Sequence, residues 1–352
     1  MAGKMKAAVL HGLGDFRTEM VDIPEIGSDE VLIKVKYCGI CGSDVPRSMI
    51  SGARKYPLIL GHEFAGKVVA VGENVENVNL NDRVAIAPLV PCGECEYCKA
   101  SDYGLCDDYN IIGTGSNGAF AEYVKVPKGH VLVIDDSLDY ETAAGIEPAA
   151  IGYHGLQKAN IQPGETVVVM GCGPIGQLTL QWAKVFGATT VIAVDVFEDK
   201  LELAKELGAD IIINAKEEDV VAKIREITNG GADVVAETAG SVITQQQSIL
   251  VAKKKGRVIF LGITHKGLDL TEETMEHIMR GELTIKGSWN SYTAPYPGLA
   301  WQATLDFMAK GDIKFKSMIS HKIDVEEVGE YLKGMADRTL MYNKVLVSFE
   351  DK

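Results

Sequence analysis

The sequence lacks several features that mark whole classes of protein. No apolar stretch in its 352 residues is long enough to cross a membrane. No run of five or six Lys or Arg occurs, and 35 basic against 49 acidic residues give a formal net charge of −14. A chain this acidic repels polyphosphate backbones and anionic membrane surfaces. We therefore expect neither a nucleic-acid partner nor a membrane partner.

An apolar signal-peptide core is also missing from the first thirty residues, because acids and glycines occur throughout them. We therefore expect a cytoplasmic location. Thiols stay reduced in that compartment, so clustered cysteines are interpreted as metal ligands or catalytic groups before disulfides. The length of the chain fits two domains of ordinary size.

The pattern of strands and helices changes near residue 154. Before it, short β-rich runs are separated by Gly, Pro, Asn and Asp, which predicts a compact barrel-like β domain. After it, apolar strands alternate with amphipathic helices, for example the helical "ITQQQSILVAKKKG" before the strand "RVIFLGI". This alternation predicts an α/β fold with a parallel sheet and helices on both faces. Periodicity does not decide which domain the tail from about Asn290 joins.

Four of the seven cysteines fall within residues 92–106, in the pattern C-x2-C-x2-C-x7-C. They are Cys92, Cys95, Cys98 and Cys106. Zn²⁺ takes four thiolates at tetrahedral corners, and two-residue gaps let one tight loop present several sulfurs to one point. Such a site is closed to substrate, so its zinc would be structural. An iron–sulfur cluster is the alternative for the same ligands.

The stretch "VVVMGCGPIG" carries a dinucleotide fingerprint. It places Gly171, Gly173 and Gly176 after an apolar strand and at the start of an amphipathic helix. These glycines permit a tight turn, close approach of a pyrophosphate and close helix packing, and the helix N-terminus attracts the anion. The next strand ends in Asp195, whose carboxylate suits a ribose diol and would repel a 2′-phosphate. NAD is therefore favoured over NADP, and a turn that serves packing only is the alternative.

A third set of residues could hold a catalytic metal ion. Cys41 in "GICGSD", with His62 and Glu63 in "GHEF", supply a thiolate, an imidazole and a carboxylate, which are ligands of zinc sites with an open position. Glu147 in "AAGIEPAAIGYH" is an acid in an apolar setting, where an ionised carboxylate is costly without a partner. Singly, each could be a core or capping residue, and Cys38 with Cys41 could form a redox dithiol instead.

These motifs together point to one family. Over essentially its whole length the chain resembles the zinc-dependent medium-chain dehydrogenase/reductase superfamily, in its polyol dehydrogenase branch. The match rests on Cys41, "GHEFAGKVVAVGENV", the four-cysteine loop, "GCGPIG" and Asp195. The resemblance implies a GroES-like β-barrel catalytic domain at residues 1–154 and 290–352. A Rossmann-type NAD-binding domain would be inserted at residues 155–289, so the tail should return to the first domain.

The resemblance also implies the contents of the active site. A catalytic zinc would lie between the domains, held by Cys41, His62 and one of the acids Glu63 and Glu147, with the other acting through a water. A structural zinc, NAD and a homo-oligomer, either a dimer or a tetramer, are implied in the same way. We expect the dinucleotide to contact Gly171, Gly173, Pro174, Ile175, Gly176, Asp195, Lys200, Thr238 and Gly262.

Three further stretches resemble enzymes that act on sugar-alcohol phosphates. They are "CGSDVPRSMISGARKYPLILGHEF", "IEPAAIGYHG" and "KGSWNSYTAPYPGLAW". The resemblance implies oxidation of a secondary alcohol of a sugar-alcohol phosphate to a ketose phosphate, namely galactitol 1-phosphate to tagatose 6-phosphate. The alternatives are a sorbitol-like enzyme for an unphosphorylated polyol, a threonine dehydrogenase and a non-catalytic nucleotide-binding relative.

The segment after Cys41 carries the remaining predictions. By resemblance Ser43 is the first hydroxyl of a proton relay, although it could serve only to cap a helix. Pro46 stands where sorbitol dehydrogenases often have a His, so a relay beyond Ser43 needs another group. A phosphorylated substrate needs local cations in so acidic a chain, and guanidinium donors suit phosphate. The predicted substrate contacts are Arg47, Lys55, Trp289 and Asn290.

Overall fold

The computed structural model describes residues 3–264 and 266–350, which divide into two compact units. The first unit comprises residues 3–147, 292–309 and 315–350, and the second comprises 148–291 and 310–314. The boundaries therefore differ from those predicted at 154 and 289. Residues 148–154 join the second unit, where the Trp182 indole donates to Ala149 O at 2.8 Å. Residues 310–314 join it as well, since Lys314 N donates to Gln181 Oε1 at 2.6 Å.

Strands occur in both units and are numbered in chain order. They are β1 Lys4–Gly12, β2 Asp15–Asp22, β3 Glu30–Gly39, β4 Leu58–Ile59, β5 Glu63–Val71, β6 Arg83–Ile86, β7 Leu89–Val90, β8 Asn110–Ile111, β9 Tyr123–Pro127, β10 Val131–Val133, β11 Thr166–Met170, β12 Thr190–Asp195, β13 Ile211–Asn214, β14 Ala232–Glu237, β15 Ala252–Phe260, β16 Thr284–Gly287, β17 Ile319–Ile323 and β18 Lys344–Ser348.

The helices are interspersed among these strands. The α-helices are α1 Glu96–Lys99, α2 Tyr140–Ala143, α3 Ile146–Ala159, α4 Pro174–Val185, α5 Glu198–Glu206, α6 Val220–Ile227, α7 Val242–Leu250, α8 Glu272–Gly281, α9 Leu299–Lys310 and α10 Val328–Ala336. A π-helical turn spans Pro46–Ile50, and 3₁₀ turns span Tyr103–Leu105, Lys128–His130, Lys316–Met318 and Val325–Glu327. No helix in residues 3–264 or 266–350 has the length and apolar character needed to span a bilayer.

The first unit is built around a seven-stranded sheet in the order β10-β6-β5-β3-β18-β17, with β9 also pairing with β3. Its strands are rich in β-branched residues, and Val31, Ile33 and Val35 of β3 are fully buried. β18 pairs antiparallel with β3, and Val347 lies opposite Cys38. The strand near the C-terminus, β18, thus belongs to the same sheet as β3.

The second unit contains a six-stranded parallel sheet in the order β13-β12-β11-β14-β15-β16. Val167, Val168 and Val169 of β11 have no exposed surface, as expected for a strand covered on both faces. This strand order is that of a Rossmann-type sheet, so the predicted fold class is confirmed. One element was predicted wrongly: β15 already begins at Ala252, whereas the three lysines that follow indicated an exposed end of α7.

Candidate active site

The four cysteines of residues 92–106 lie around one point of the first unit, and their Sγ atoms all lie within 4.8 Å of one another. Two of them, Cys92 and Cys98, have their sulfurs 3.9 Å apart, far beyond the length of a disulfide. Backbone N–H groups of the loop point at the sulfurs: Cys95 N lies 3.4 Å from Cys92 Sγ, and Cys92 N lies 3.2 Å from Cys106 Sγ.

This cluster, which we call the closed cluster, fits a structural zinc ion. Sulfurs placed about 2.3 Å from a tetrahedral zinc lie about 3.8 Å apart, close to the observed separation of Cys92 and Cys98. N–H donors stabilise thiolates, and those of Cys98 and Asp107 lower the pKa of Cys95 to about 6. All four ligands are cysteines, so no position is left for a substrate.

A second group, which we call the open site, gathers Cys41, His62 and Glu63. One possible ligand atom from each lies within 4.8 Å of the other two. Cys41 follows the end of β3, while Glu63 opens β5, and these strands pair with Gly39 opposite Glu63. Burial raises the pKa of the Cys41 thiol, and the neighbouring Glu63 and Asp44 carboxylates raise it further. A thiolate here therefore needs a cation, which a metal ion would supply.

The imidazole of His62 supports a metal at this point. The residue is only 6 % exposed. Its Nδ1 is buried and has no hydrogen-bond partner among the described residues, and Asp44 Oδ1 lies 3.6 Å away. Buried polar atoms are normally hydrogen-bonded, so this ring is not held as a core histidine would be. A metal-bound imidazole typically presents its other nitrogen to a carboxylate, and Asp44 stands on that side.

Asp44 also shapes the turn that carries Cys41. It is fully buried, and its Oδ2 accepts the Cys41 N–H at 3.0 Å. Its Oδ1 lies 3.4 Å from Arg47 Nη1. Burial raises the pKa of Asp44, whereas the His62 and Arg47 charges lower it. One carboxylate thus contacts the backbone of one candidate ligand and faces the ring of another.

Lys344 of β18 contacts the third candidate ligand. Its ammonium donates to Glu63 Oε2 and, at 3.0 Å, to Ile40 O, and both Lys344 and Glu63 side chains are only 2 % exposed. Burial alone would lower the pKa of Lys344, but the Glu63 and Cys41 charges raise it above its ordinary value. A Cβ at Gly39 would overlap Glu63 Oε2 and lie 2.9 Å from Lys344 Cε, so any larger residue would require these two paired side chains to shift.

Glu147 lies in the first turn of α3, where the following Pro148 is tolerated because first-turn N–H groups have no helical acceptor. Among the described residues it is not part of the close group formed by Cys41, His62 and Glu63. Burial raises the pKa of Glu147 to about 7, with the His62 charge acting in the opposite direction and the Glu63 charge in the same one. It is therefore a carboxyl group able to gain or lose a proton near neutral pH.

In the second unit, the predicted dinucleotide residues follow the carboxyl ends of neighbouring strands. Gly171 has φ +98°, which favours glycine, and Gly173 precedes α4, which begins with Pro174. Asp195 ends β12, and its carboxylate accepts the N–H groups of Cys172 at 2.6 Å and of Val196 at 2.7 Å. The carboxyl edge of such a sheet, next to a helix N-terminus, is where a pyrophosphate binds.

Two family models match the chain. The model described as "Alcohol dehydrogenase GroES-like domain" matches residues 27–136, and "Zinc-binding dehydrogenase" matches residues 174–310. Sorbitol dehydrogenase of Bacillus subtilis is 37% identical over 335 residues, which cover 94% of this chain and 93% of that protein. The chain belongs to the zinc-binding alcohol dehydrogenase family. It is an oxidoreductase of the zinc type.

Other members of the family act on phosphorylated polyols by name. Galactitol 1-phosphate 5-dehydrogenase of Escherichia coli K12 is 35% identical, covering 97% of this chain and 99% of its own. D-arabitol-phosphate dehydrogenase of Enterococcus avium is 37% identical, covering 99% and 98%. Sorbitol and sugar-phosphate enzymes therefore match this chain at nearly the same identity.

Two solved structures have the same fold as this chain over nearly its whole length. Galactitol-1-phosphate dehydrogenase from Escherichia coli superimposes with a TM-score of 0.93 at 34% identity, covering 98% of this chain and 100% of that one. A zinc-binding dehydrogenase from Sinorhizobium meliloti 1021, bound to NADP, superimposes with a TM-score of 0.92 at 36% identity, covering 98% and 99%. That relative therefore binds a nicotinamide dinucleotide.

In this zinc-binding dehydrogenase, the residues that follow Cys41 form hydrogen bonds within their own turn. The Ser43 hydroxyl donates to Cys41 Sγ at 3.3 Å. The Arg47 guanidinium donates to Ser43 O at 3.1 Å and faces Asp44, and its side chain is 25 % exposed. The Ser43 hydroxyl is therefore hydrogen-bonded to a candidate ligand, and Arg47 donates a hydrogen bond within its own turn.

The other predicted substrate residues lie elsewhere in the described chain. Lys55 lines a cavity of about 570 Å³ in the first unit, together with His11, Glu19 and Asn117, and no open-site residue lines it. Trp289 is 49 % exposed, and Asn290 has φ +51°. Both belong to the second unit, near the end of its first segment at Ser291. Their contact with substrate stays a prediction.

The sequence analysis assigned no role to Asp44 or Lys344. Asp44 follows Cys41 by three residues in "GICGSD", so its proximity was visible, but its side-chain direction was not. Lys344 is a single cation in the apolar run "NKVLVSF", which is the pattern of a charge with a buried partner. Its partner Glu63 lies 281 residues earlier in the chain.

Proposed function

We propose that the protein oxidises a secondary hydroxyl of a sugar alcohol to a ketone, with NAD as the hydride acceptor. The observation that carries this proposal is the open site, where a thiol, an imidazole and a carboxylate converge but no fourth protein ligand among the described residues completes the set. Three protein ligands leave one position for a substrate oxygen. The polyol dehydrogenases among the relatives support the substrate class.

Cys41, His62 and Glu63 are the residues that would hold the catalytic zinc. When bound, such an ion supplies a Lewis acid that makes the alcohol hydroxyl more acidic. Glu147 accepts or returns a proton, since its pKa of about 7 suits general acid–base work near neutral pH. Ser43, whose hydroxyl lies 3.3 Å from Cys41 Sγ, would pass that proton onward. NAD, when bound, would supply the acceptor for the hydride of the carbinol carbon.

The choice of NAD over NADP rests on Asp195. Backbone N–H groups hold both of its oxygens, with Val196 and Phe197 donating to Oδ1 and Cys172 to Oδ2. The carboxylate is therefore fixed at the end of β12, where the adenosine ribose lies in a Rossmann-type sheet. A fixed negative charge there repels a 2′-phosphate.

Galactitol 1-phosphate is the first substrate we propose to test. Its support is the match to galactitol 1-phosphate 5-dehydrogenase along 97% of this chain, together with the superposition on the same kind of enzyme. The product of oxidation at C5 would be tagatose 6-phosphate.

An unphosphorylated polyol is the second candidate, and one observation favours it. Arg47, the predicted phosphate contact, donates to Ser43 O and faces the buried Asp44 carboxylate. Lys55 lines a cavity separate from the open-site residues. Arg47 and Lys55, the two predicted phosphate contacts of the first unit, thus do not line one common site.

The test is a set of NAD-coupled oxidation assays with galactitol 1-phosphate, galactitol, D-arabitol phosphate, sorbitol and threonine. Each substrate is compared by kcat/KM, before and after treatment with a zinc chelator. We expect at least about a tenfold preference for a sugar-alcohol phosphate over its unphosphorylated form, because charged hydrogen bonds contribute about 1.5–3 kcal/mol. Chelation should abolish turnover.

Two results would overturn parts of the proposal separately. Equal kcat/KM for galactitol and galactitol 1-phosphate would reject the phosphorylated substrate and leave the sugar-alcohol oxidation intact. Full activity after the metal has been removed would reject the zinc-dependent chemistry itself. Replacement of NAD by NADP with equal efficiency would reject the role given to Asp195.

A further inference from the structure

The loop that follows β14 is held by a buried acid. Glu237, the last residue of β14, has no exposed surface. Its Oε1 accepts hydrogen bonds from Ala239 N at 3.0 Å, Gly240 N at 2.8 Å and the Thr244 hydroxyl at 2.7 Å. Three donors on one oxygen fold the loop back over the end of its own strand. Thr238, the first residue of this loop, is thereby fixed in place.

Thr238 reaches across to the glycine turn that follows β11. Its hydroxyl lies 2.8 Å from Gly171 O and 3.1 Å from Met170 O. Its backbone N–H also donates to Met170 O, at 3.0 Å. Gly171 is the first glycine of the fingerprint, so one hydroxyl ties the turn to the neighbouring strand. Facing inward in this way, the hydroxyl is used within the protein rather than offered to a ligand.

The surrounding glycines show how closely these loops interlock. A Cβ at Gly176 would overlap Gly171 O and lie 2.9 Å from the Thr238 hydroxyl oxygen. A Cβ at Gly262 would lie 2.7 Å from Glu237 Oε2. The turn after β11 and the loops after β14 and β15 are thus packed with no space for a side chain at these positions.

We propose that Thr238 is a positioning residue that fixes the glycine turn for the dinucleotide pyrophosphate. By holding the Gly171 carbonyl, its hydroxyl keeps the next N–H groups and the start of α4 oriented toward the anion. Sequence analysis placed Thr238 among the cofactor contacts, and the geometry gives it an indirect role instead. The inference deepens the proposed function and depends on it only for the ligand class.

The test uses the full-length protein and NADH as the probe, with binding measured by fluorescence titration in the absence of substrate. Thr238→Val removes the hydroxyl and keeps the branched shape, while Thr238→Ser keeps the hydroxyl. The matched control is Thr304→Val, because Thr304 is a buried residue of α9 whose hydroxyl donates to Ala300 O at 2.7 Å in the first unit. Unfolding temperatures establish that each variant is folded.

We expect Thr238→Val to bind NADH about threefold to tenfold more weakly, as the loss of one hydrogen bond implies. Thr238→Ser should restore binding to within about twofold, and Thr304→Val should bind as the unmodified protein does. In turnover assays the KM for NAD should rise while kcat at saturating NAD stays the same.

The proposal is overturned if Thr238→Val binds NADH normally, or if Thr238→Ser binds as weakly as Thr238→Val. The first result would show that the hydroxyl does not matter, and the second that side-chain shape matters instead. Because NADH binding is measured without a substrate, failure of every polyol assay would reject the proposed substrate and leave this inference standing.

Discussion

The closed cluster and the open site assemble cysteine ligands in opposite ways. The closed cluster takes all four ligands from residues 92–106, which form one loop with a short helix, α1, inside it. The open site takes Cys41 from the end of β3 and His62 with Glu63 from the start of β5, and Lys344 of β18 contacts it. Local spacing builds the first, and strand pairing builds the second.

This difference separates the structural roles of the two regions. A ligand set drawn from one loop can form without the rest of the domain, and its four thiolates leave no free position. A ligand set drawn from paired strands exists only when the sheet is complete, and its side chains are buried among charged partners. Substitutions at the open site should therefore change catalytic activity and the balance of buried charges. Substitutions at the closed cluster should change the structure of the loop at residues 92–106.

The largest effect is expected from Cys41→Ala. Loss of a zinc ligand removes several kcal/mol of transition-state stabilisation, so kcat/KM should fall at least about a thousandfold. The zinc content, measured by atomic emission, should drop by one ion per chain while the closed cluster keeps its own. Cys38→Ala is the matched control, because Cys38 is fully buried with its sulfur 3.7 Å from Gly39 O. Equal losses in both variants would revive the dithiol hypothesis.

A second large effect is expected from Lys344→Met. It leaves the buried Glu63 carboxylate without its partner, which typically costs about 3–5 kcal/mol when one member of a buried pair is removed. Urea unfolding of the metal-free protein measures this loss directly. Lys255→Met, which removes an exposed ion pair with Glu282, should leave the free energy of unfolding unchanged. Similar stability of both variants would show that the Lys344–Glu63 ion pair does not stabilise the metal-free protein.

Glu63→Gln and Glu147→Gln should distinguish the zinc-binding acid from the proton-transfer acid. Glu63 belongs to the group of converging ligand atoms, so Glu63→Gln should weaken zinc binding about tenfold to a hundredfold. Glu147→Gln should keep the zinc and lower kcat, since a proton-transfer group is lost. Competition with a fluorescent zinc chelator measures the first effect, and steady-state assays measure the second. Zinc loss from the Glu147 variant alone would reverse the assignment.

The smallest effects are expected from two glycines. Gly39→Ala forces a methyl group against Glu63 and Lys344, so it should cost about 1–3 kcal/mol and lower the zinc content of the open site. Gly93 of the closed cluster has φ +80° with open space around it, so Gly93→Ala should cost about 1–2 kcal/mol through the backbone alone. The zinc content of the Gly93→Ala variant should stay unchanged. Thermal unfolding with metal analysis would distinguish the two mechanisms.

The sequence was sufficient wherever the determining contacts are local. The closed cluster follows from cysteine spacing, and the glycine turn follows from a strand, three glycines and a helix in order. Both features appear in the structure where predicted. The resemblance implied that Cys41 and His62 lie near Glu63 or Glu147 without deciding which acid, and in the structure possible ligand atoms of Cys41, His62 and Glu63 lie within 4.8 Å of one another.

What the sequence could not supply depends on distant pairing and side-chain direction. Lys344 meets Glu63 only because β18 joins the sheet next to β3. Arg47 was predicted to contact a phosphate, and its contacts with Ser43 O and the buried Asp44 carboxylate depend on side-chain directions that the sequence does not give. The start of β15 was misplaced because its exposed lysines resemble the polar end of a helix.

The pairing of β18 with β3 can form only late in synthesis on the ribosome. Ile40 and Lys344, which are hydrogen-bonded in the folded protein, are 304 residues apart in the chain. At about 5–20 residues per second, roughly 15–60 seconds pass between their translation. All six strands of the second unit's sheet emerge within that interval, so this sheet can form while β3, already paired with β5 and β9, still lacks β18. The newborn chain can therefore complete the parallel sheet of the second unit before Lys344 reaches Glu63.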